Sequence, residues 1–348
     1  MGPAERIVDW LRTAATPLSG EELARRLGCS RAAVWKHIAA LRQGGYEIRG
    51  RPSVGYTLGT VPDRLGPAEL APHLAGSWRH VEWRAVVDST QNLARDLARE
   101  GAPEGTVVIG ESQTAGRGRL GRQWHSPAGC NLYCSLVLRP PLPPIAVPTF
   151  ALVVGLAVAD AVQALLGARA ALKWPNDVLL DGRKVAGILT ELDAEIERVR
   201  YVIVGIGVNV NTEAFPADLA PKATSLRLAA GHPVDRARCT GGLLAALEAR
   251  YSRFLADGFA AMRPEWEASA ALTGKEVRVT APEGEVSGRV VGVDDDGALR
   301  LAGPRGELRV VAGEVSTRDF VSGREEPRVC GVGEECGCRA AAGRAGAA

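Results

Sequence analysis

The stretch best suited to chemistry is Gln113-Thr114-Ala115-Gly116-Arg117-Gly118-Arg119-Leu120-Gly121-Arg122-Gln123-Trp124. Three arginines alternate with three glycines directly after a strand-like run. Glycine permits positive φ and close backbone approach, so such a loop can fold over a ligand. The guanidinium forks suit phosphate oxygens, and Trp124 can close the loop against a flat or apolar surface. The Gly-Lys-Ser/Thr ending of a Walker loop is missing. A flexible surface connection of the same composition is the alternative reading.

Further clusters follow. Lys173-Trp174-Pro175-Asn176-Asp177 ends a strand-like run, and Pro175 forces a turn there. The side-chain oxygens of Asn176 and Asp177 suit a hard cation such as magnesium, or an Asx-type turn serving only the backbone. Asp181-Gly182-Arg183 makes a turn before Lys184-Val185-Ala186-Gly187-Ile188-Leu189, which suggests that the Lys184 amine faces a pocket; a solvated lysine beside a turn is the plainer alternative. Gly205-Ile206-Gly207-Val208-Asn209 lacks the third glycine and following helix of a dinucleotide fingerprint. Paired glycines in a strand instead let backbone approach a flat ligand. Ser89-Thr90 reads as a helix N-cap, whose hydroxyls and free amides would face any ligand at that helix start.

The elements that must position these residues read as a mixed α/β sheet. Strands are expected at 82–87, 106–111, 132–138, 171–173, 178–180, 184–192 and 200–210. Helices are expected at 91–100 and 149–166. Residues 275–320 show short alternating strands with turns at Asp294-Asp295-Asp296-Gly297 and Pro304-Arg305-Gly306.

Ahead of this lies a different composition. Residues 5–14 have helical apolar spacing. Ser19 with Glu22 fits a capping box, and Gly28-Cys29 breaks that second helix. Ser30 caps a third, 31–42, ended by Gly44-Gly45. Arg31, Lys36, His37 and Arg42 occur there without an acid, a surface that phosphates attract. Val34, Ile38 and Leu41 form its buried stripe. Alternation around Pro52-Ser53-Val54-Gly55 adds a hairpin, completing a winged helix-turn-helix; a helical interaction module that binds no DNA is the alternative. The face expected to meet DNA comprises Ser30, Arg31, Ala32, Lys36 and His37, with Arg49 and Arg51 from the hairpin.

A chain of 348 residues favours two or three domains. Its 46% hydrophobic and 24% charged content is that of a soluble globular protein. The net charge of +2 is too small to argue for nucleic acid globally, so a basic patch must be local. The N-terminus has no apolar signal core, and no apolar run approaches the ~20 residues of a membrane span; a cytoplasmic location without a membrane partner is expected. Seven scattered cysteines argue against a disulfide framework. Cys130 and Cys134 read as packed thiols; Cys330, Cys336 and Cys338 fall in a Gly/Ala/Arg-rich tail expected to be disordered.

In order, Ser89-Thr90-Gln91, Gln113–Arg122, Lys173–Asp177, Lys184–Leu189 and Gly205–Asn209 resemble bacterial biotin protein ligases, specifically the bifunctional form that also represses the biotin operon. The likeness runs from about residue 5 to 320, and the head resembles that family's winged helix. It implies a winged helix-turn-helix over 1–62, a class II synthetase-like ligase domain over 63–272, an SH3-like barrel over 273–321 and a tail over 322–348. It implies that Ser89, Thr90, Gln91, Gln113, Gly205 and Gly207 lie against biotin, with Arg117, Gly118, Arg119 and Lys184. ATP and the adenylate would meet Arg119, Arg122, Trp124, Asn176, Lys184 and Asn209. Arg117, Arg119 and Lys184 would be catalytic, with Mg2+ at Asn176 and Asp177. A biotin carboxyl carrier protein, operator DNA and a second copy of the chain are the implied partners. Gln91 stands where the family often has asparagine. A lipoate or octanoate ligase, or a regulator that only senses the adenylate, would be the competing readings.

Overall fold

The computed structural model describes residues 2–304 and 306–317; the C-terminal tail, with Cys330, Cys336 and Cys338, lies outside the described residues.

The head opens with α1 (Pro3–Thr13), α2 (Gly20–Leu27) and α3 (Arg31–Gln43), then a hairpin of β1 (Ile48–Arg51) and β2 (Gly55–Leu58). Ser19 caps α2 by accepting from the Glu22 amide, but the Glu22 carboxylate turns to Arg25 and Arg26 instead of closing the box. Two arginines three and four residues on lie on the same helical face, and their charge outcompetes a neutral amide for the carboxylate. Ile7, Val8, Leu23, Val34, Ile38 and Leu41 form a core of the head's own, which Ala68 of the linker helix α4 (Pro67–Leu70) joins.

The central sheet has seven strands in the order β3-β4-β5-β9-β8-β7-β6. These are β3 (Val81–Arg84), β4 (Thr106–Gly110), β5 (Leu132–Leu138), β6 (Ala171–Lys173), β7 (Asp177–Leu180), β8 (Arg183–Ala194) and β9 (Val199–Val208). α5 (Thr90–Arg99) lies between β3 and β4; α6 (Phe150–Leu166) follows β5. The elements expected from the sequence are present with ends shifted by up to about three residues, as strand and helix ends fray.

One face of the sheet carries Leu132, Leu136, Val202, Val204 and Ile206 into the main core under α6 and α8 (Arg236–Asp257). The opposite face packs Val137, Tyr201 and Ile203 against Ala94 and Ala98 of α5. Further along that second face, where α5 ends, the alternating positions become Tyr133 and Ser135, Gly205 and Gly207, and Gly187 and Leu189. The apolar row stops there and a slot begins.

Two expectations need correction. The helical stretch Pro144–Leu166 is long and apolar enough to span a membrane by length and composition, contrary to the reading of the sequence. It is two-thirds buried inside the fold, which explains the apolarity as core packing. The 22-residue α8 was not anticipated; its buried stripe is interrupted by Arg236, Thr240 and Gly241, which blurs the helical period.

α7 (Leu226–Ala230) and α9 (Arg263–Ala268) lead to the final five-stranded antiparallel sheet, in the order β13-β12-β11-β10-β14. Its strands are β10 (Glu276–Ala281), β11 (Gly284–Val293), β12 (Leu299–Gly303), β13 (Gly306–Val310) and β14 (Glu314–Thr317). Val277, Val279, Val290 and Leu301 belong to the same hydrophobic cluster as the central sheet, so this module does not have a separate core. Cys134 and Cys239 are buried free thiols, each pushed up to about 12 by burial.

Candidate functional site: a slot and a wider cavity under a cationic loop

The slot floor is knitted by neutral hydrogen bonds. Ser89 caps α5, its Oγ accepting from the Gln91 amide at 3.3 Å. The Thr90 amide donates to Gln113 Oε1 at 2.9 Å, and Gln113 Nε2 donates to Ser126 Oγ at 2.9 Å. The amides expected to be free for a ligand are therefore occupied by side chains. Ser135 Oγ, on β5, contacts Thr90 Oγ1 at 2.9 Å and Gln91 Oε1 at 3.0 Å. Gln91 Nε2 donates to the carbonyls of Leu189 and Ile203, both at 3.3 Å. A buried amide leaves few of its hydrogen bonds unmade, and Gln91 reaches strands β5, β8 and β9 at once.

The glycines make room for these side chains. A Cβ at Gly205 would sit 2.4 Å from Gln91 Oε1, and one at Gly207 would sit 2.5 Å from the Trp124 ring. Gly187, paired with Gly207 across β8 and β9, underlies the same indole. In this structure Gln91 and Trp124 make the closest approach to the strand glycines.

The loop closes on itself. The Gly118 amide donates to the Arg122 carbonyl at 2.7 Å, and the Trp124 amide to the Gly116 carbonyl at 2.9 Å. Only Gly121, among its three glycines, uses positive φ; Leu120 adopts φ 56° without being glycine. Gly116 is required by proximity, since a Cβ there would lie 2.6 Å from Ser126 Oγ.

Charged partners hold the loop from outside. Arg117 Nη2 is 2.7 Å from Glu191 of β8, and its Nη1 donates to Asn92 Oδ1 at 3.2 Å. Arg119 Nη1 lies 3.4 Å from both Asn176 Oδ1 and the Gly313 carbonyl. Burial lowers the Arg119 pKa, partly offset by Asp177 and Glu314; the guanidinium stays charged. Arg122 makes a two-pronged ion pair with Glu314 at the start of β14.

Lys184 Nζ is 2.6 Å from Asp177 Oδ1 and 5.2 Å from the centroid of Trp124, within cation–π range. Its contact with Asp177 is a close ion pair, and the Oδ1 it engages is buried. Asn176 donates through Nδ2 to the Ile188 carbonyl at 2.7 Å, fixing the turn after the cis Trp174–Pro175 bond.

Two cavities meet here. The smaller, about 60 Å3, is lined by Ser89, Thr90, Gln91, Gln113, Arg117, Gly118, Arg119, Lys184, Gly205 and Gly207, among others. The larger, about 800 Å3, is lined by Arg119, Arg122, Trp124, Asn176, Lys184 and Asn209, with Asp177, Phe215, Lys222 and Glu314. The structure thus gathers the ten residues singled out for one ligand into one cavity, and the six singled out for the other into its neighbour. Gly118, Arg119, Trp124, Asn176 and Lys184 line both.

Sequence reasoning missed Ser135, Glu191, Glu314 and the ring of Tyr133. Ser135 and Glu191 sit on strands in alternation with core residues, and only register reveals which face they take.

Outside both cavity linings, the Arg236 side chain is fully enclosed. It binds Glu111 Oε2 at 3.0 Å, Asp63 Oδ1 at 2.8 Å and the Asn131 carbonyl at 3.1 Å. Glu111 also accepts from the Leu65 amide. Burial pulls the Arg236 pKa down, but the carboxylates of Glu111 and Asp63 outweigh it and raise it overall.

In the head, Arg31, Ala32, Lys36, Arg49 and Arg51 are exposed and His37 is half-buried. Ser30 is the α3 cap, accepting from the Ala33 amide at 3.2 Å, and Arg49 pairs with Glu47. The seven residues therefore lie on α3 and the hairpin, with Arg49 already partnered.

Fold and site define a ligase-type mixed-sheet domain, with confluent anion-suited cavities, behind a helix-turn-helix head. Family models agree: an HTH domain matches residues 4–57, the biotin/lipoate A/B protein ligase family matches 83–209, and the biotin protein ligase C-terminal domain matches 272–318. The bifunctional ligase/repressor BirA of Bacillus spizizenii is 40% identical over 302 residues, 86% of this chain and 93% of the relative. Escherichia coli BirA is 33% identical over 86% of this chain and 92% of its own length. A structure of biotin protein ligase from Aquifex aeolicus in complex with biotin and ATP superposes with a TM-score of 0.61 at 32% identity, covering 69% of this chain and 99% of that one. The chain belongs to the biotin protein ligase family.

Proposed function

We propose that this protein activates biotin with ATP to biotinyl-5′-AMP and transfers the biotinyl group to a lysine of a biotin carboxyl carrier protein. The observation that carries this is the shared lining of the two cavities: Arg119 and Lys184 sit where they meet. A reaction that joins a carboxylate to a phosphate needs its cations at that junction. The slot bounded by Gly205 and Gly207 takes biotin as the Trp124 ring lifts from Gly207, and the larger cavity takes ATP.

The chemistry follows from charge. A biotin carboxylate oxygen attacks the α-phosphorus, and pyrophosphate leaves with the electrons of the broken P–O bond. Two anions are brought together, and preorganised Arg117, Arg119 and Lys184 offset the charge that builds. The loop and Trp124 keep water from the mixed anhydride. The acceptor amine then attacks the acyl carbon, AMP departs and the amine loses a proton.

Magnesium fits this site only through substrate. Among the described residues no group of three or more His, Cys, Asp or Glu could hold a metal, and the Asn176 oxygen faces Arg119. Asp177, whose Oδ1 is buried 2.6 Å from Lys184 Nζ, would supply the one carboxylate that a phosphate-borne Mg2+ commonly takes. The ion would add Lewis-acid charge neutralisation at the phosphates.

The head, the central region and the final sheet act as DNA-binding, catalytic and C-terminal domains, with boundaries near 62 and 272. The protein acts in the cytoplasm as a biotinyl-AMP-dependent repressor of biotin synthesis genes. β8 pairs with β7 only over Arg183–Gly187, so its edge from Thr190 to Ala194 has no partner strand among the described residues. Exposed Leu192 and Ile196 adjoin it. An open edge beside apolar side chains supports a homodimer through this sheet in the adenylate-bound state.

The test is transfer of labelled biotin to a carrier domain with ATP and magnesium, with adenylate followed separately. Wild type should form adenylate and label the carrier. Neither product from wild type would remove the enzyme and leave a biotin-sensing regulator.

A further inference from the structure

Trp35 is a large apolar side chain left 61% exposed on α3. The head's other tryptophan, Trp10, is half-buried under two guanidiniums, Arg6 at 5.0 Å and Arg26 at 5.7 Å. Leaving an indole in water forgoes burial that the same head achieves elsewhere; one exposed ring alone marks no interface, so its surroundings on α3 decide.

Its place on the helix narrows the partner. With side chains turning by about 100° per residue, Val34, Ile38 and Leu41 point into the head's core, and Ala32, Lys36 and Ala39 point away from it. Trp35 projects along one flank, in line with Arg31 and Arg42. Arg42 Nε donates to the Ile48 carbonyl of β1 at 2.8 Å, so that flank is the one facing the hairpin. Trp35 therefore stands at the notch between α3 and the wing, with exposed Arg31 and Lys36 on the helix and Arg51 on the wing. Glu47, the carboxylate that precedes β1, is engaged by Arg49 and Thr60. Small Ala32 and Ala39 leave the outer face of α3 low enough to enter a groove.

An apolar ring among unneutralised cations, beside a helix with small outward side chains, matches duplex DNA. Phosphates meet the cations, and deoxyribose carbons and thymine methyls meet the ring. A protein partner would have to match the ring while also supplying acids for the surrounding arginines and lysine.

We propose that Trp35 is an operator-contacting residue, its indole seated in the notch between α3 and the wing against sugar and thymine-methyl surface. The inference rests on the reading of the head as DNA-binding, and adds to it an apolar contact that contributes affinity without neutralising phosphate. Arg31 and Lys36 contribute the salt-sensitive part.

The probe is duplex DNA enriched from a random-sequence pool by the full-length wild-type protein with biotin and ATP. Affinities are then measured across a salt series for wild type, Trp35→Ala, Trp35→Phe and Lys36→Ala. Trp35→Ala should bind about tenfold more weakly, as expected for loss of a buried apolar side chain, with an unchanged slope of log K against log salt. Trp35→Phe should fall between. Lys36→Ala should lower the slope by about one. Ligation by Trp35→Ala should match wild type, showing that the catalytic region remains folded, and the unchanged salt slope shows the same of the head. Affinity of Trp35→Ala within about twofold of wild type, or a slope lost in parallel with affinity, would overturn the proposal while leaving a DNA-binding head. If the wild type enriches no sequence, the DNA-binding reading itself falls, and the contact with it.

Discussion

Gln91 at the floor of the slot and Arg122 at the edge of the loop above it represent two ways of holding a site. Gln91 is 2% exposed and bonds to three strands through neutral groups, seated so closely over Gly205 that a Cβ there would lie 2.4 Å from its Oε1. The Arg122 side chain is 65% exposed and is held by one carboxylate from the final sheet. Neutral hydrogen bonds in a dry interior are rigid and expensive to leave unmade. Ion pairs in water are weak and readily exchanged. The floor is therefore built to keep its shape, while an exposed pair such as Arg122 with Glu314 can exchange partners without losing much stability.

The contrast orders a set of substitutions. The largest effect is expected outside both cavity linings, at Arg236. Arg236→Ala leaves Glu111 buried without its cation and should destabilise by about 3–5 kcal/mol, read by denaturant unfolding. Next comes the rim in its catalytic role. Arg119→Ala should slow adenylate formation by roughly 10²–10³-fold, with biotin binding falling less, measured by pyrophosphate release and calorimetry. A smaller effect is expected in the floor itself. Gly205→Ala overpacks against Gln91 and should cost about 1–3 kcal/mol, divided between stability and biotin affinity; wild-type affinity would mean that Gln91 can move, and the floor is not rigid. Smallest is Glu314→Gln. Removing the half-exposed partner of Arg122 should change stability by no more than about 1 kcal/mol. A large loss there would show the rim to be structural, and the distinction would collapse.

Much of this was legible in the chain. The alternation of glycine and arginine marked the loop, and the acid-free periodicity of 31–42 marked the helix that faces outward from the head. The strands carrying Lys184 and the paired glycines were visible as apolar runs bounded by turns. The roles of individual glycines were not. Positive φ and close approach were open to all three loop glycines; Gly116 is a point of close contact, whereas the left-handed turn falls at Leu120 and Gly121. Residue types alone suited Asn176 and Asp177 to magnesium; the distances turn the Asn176 oxygen toward Arg119 and the Asp177 carboxylate toward Lys184.

The sequence by itself determined the local elements and the inventory of charges, because helix caps, strand alternation and glycine-rich turns depend on neighbours within a few positions. Only the tertiary structure decided which groups share a cavity. Glu191 and Glu314 lie far along the chain from the loop arginines they pair with, and Ser135 lies 45 residues from Thr90. Arg236, on a helix whose polar interruptions hide its buried face, becomes an anchor only when Asp63 and Glu111 arrive from elsewhere in the chain. Desolvation and Coulomb attraction act through space, so burial and pairing across the fold had to be known before the role of these charges could be.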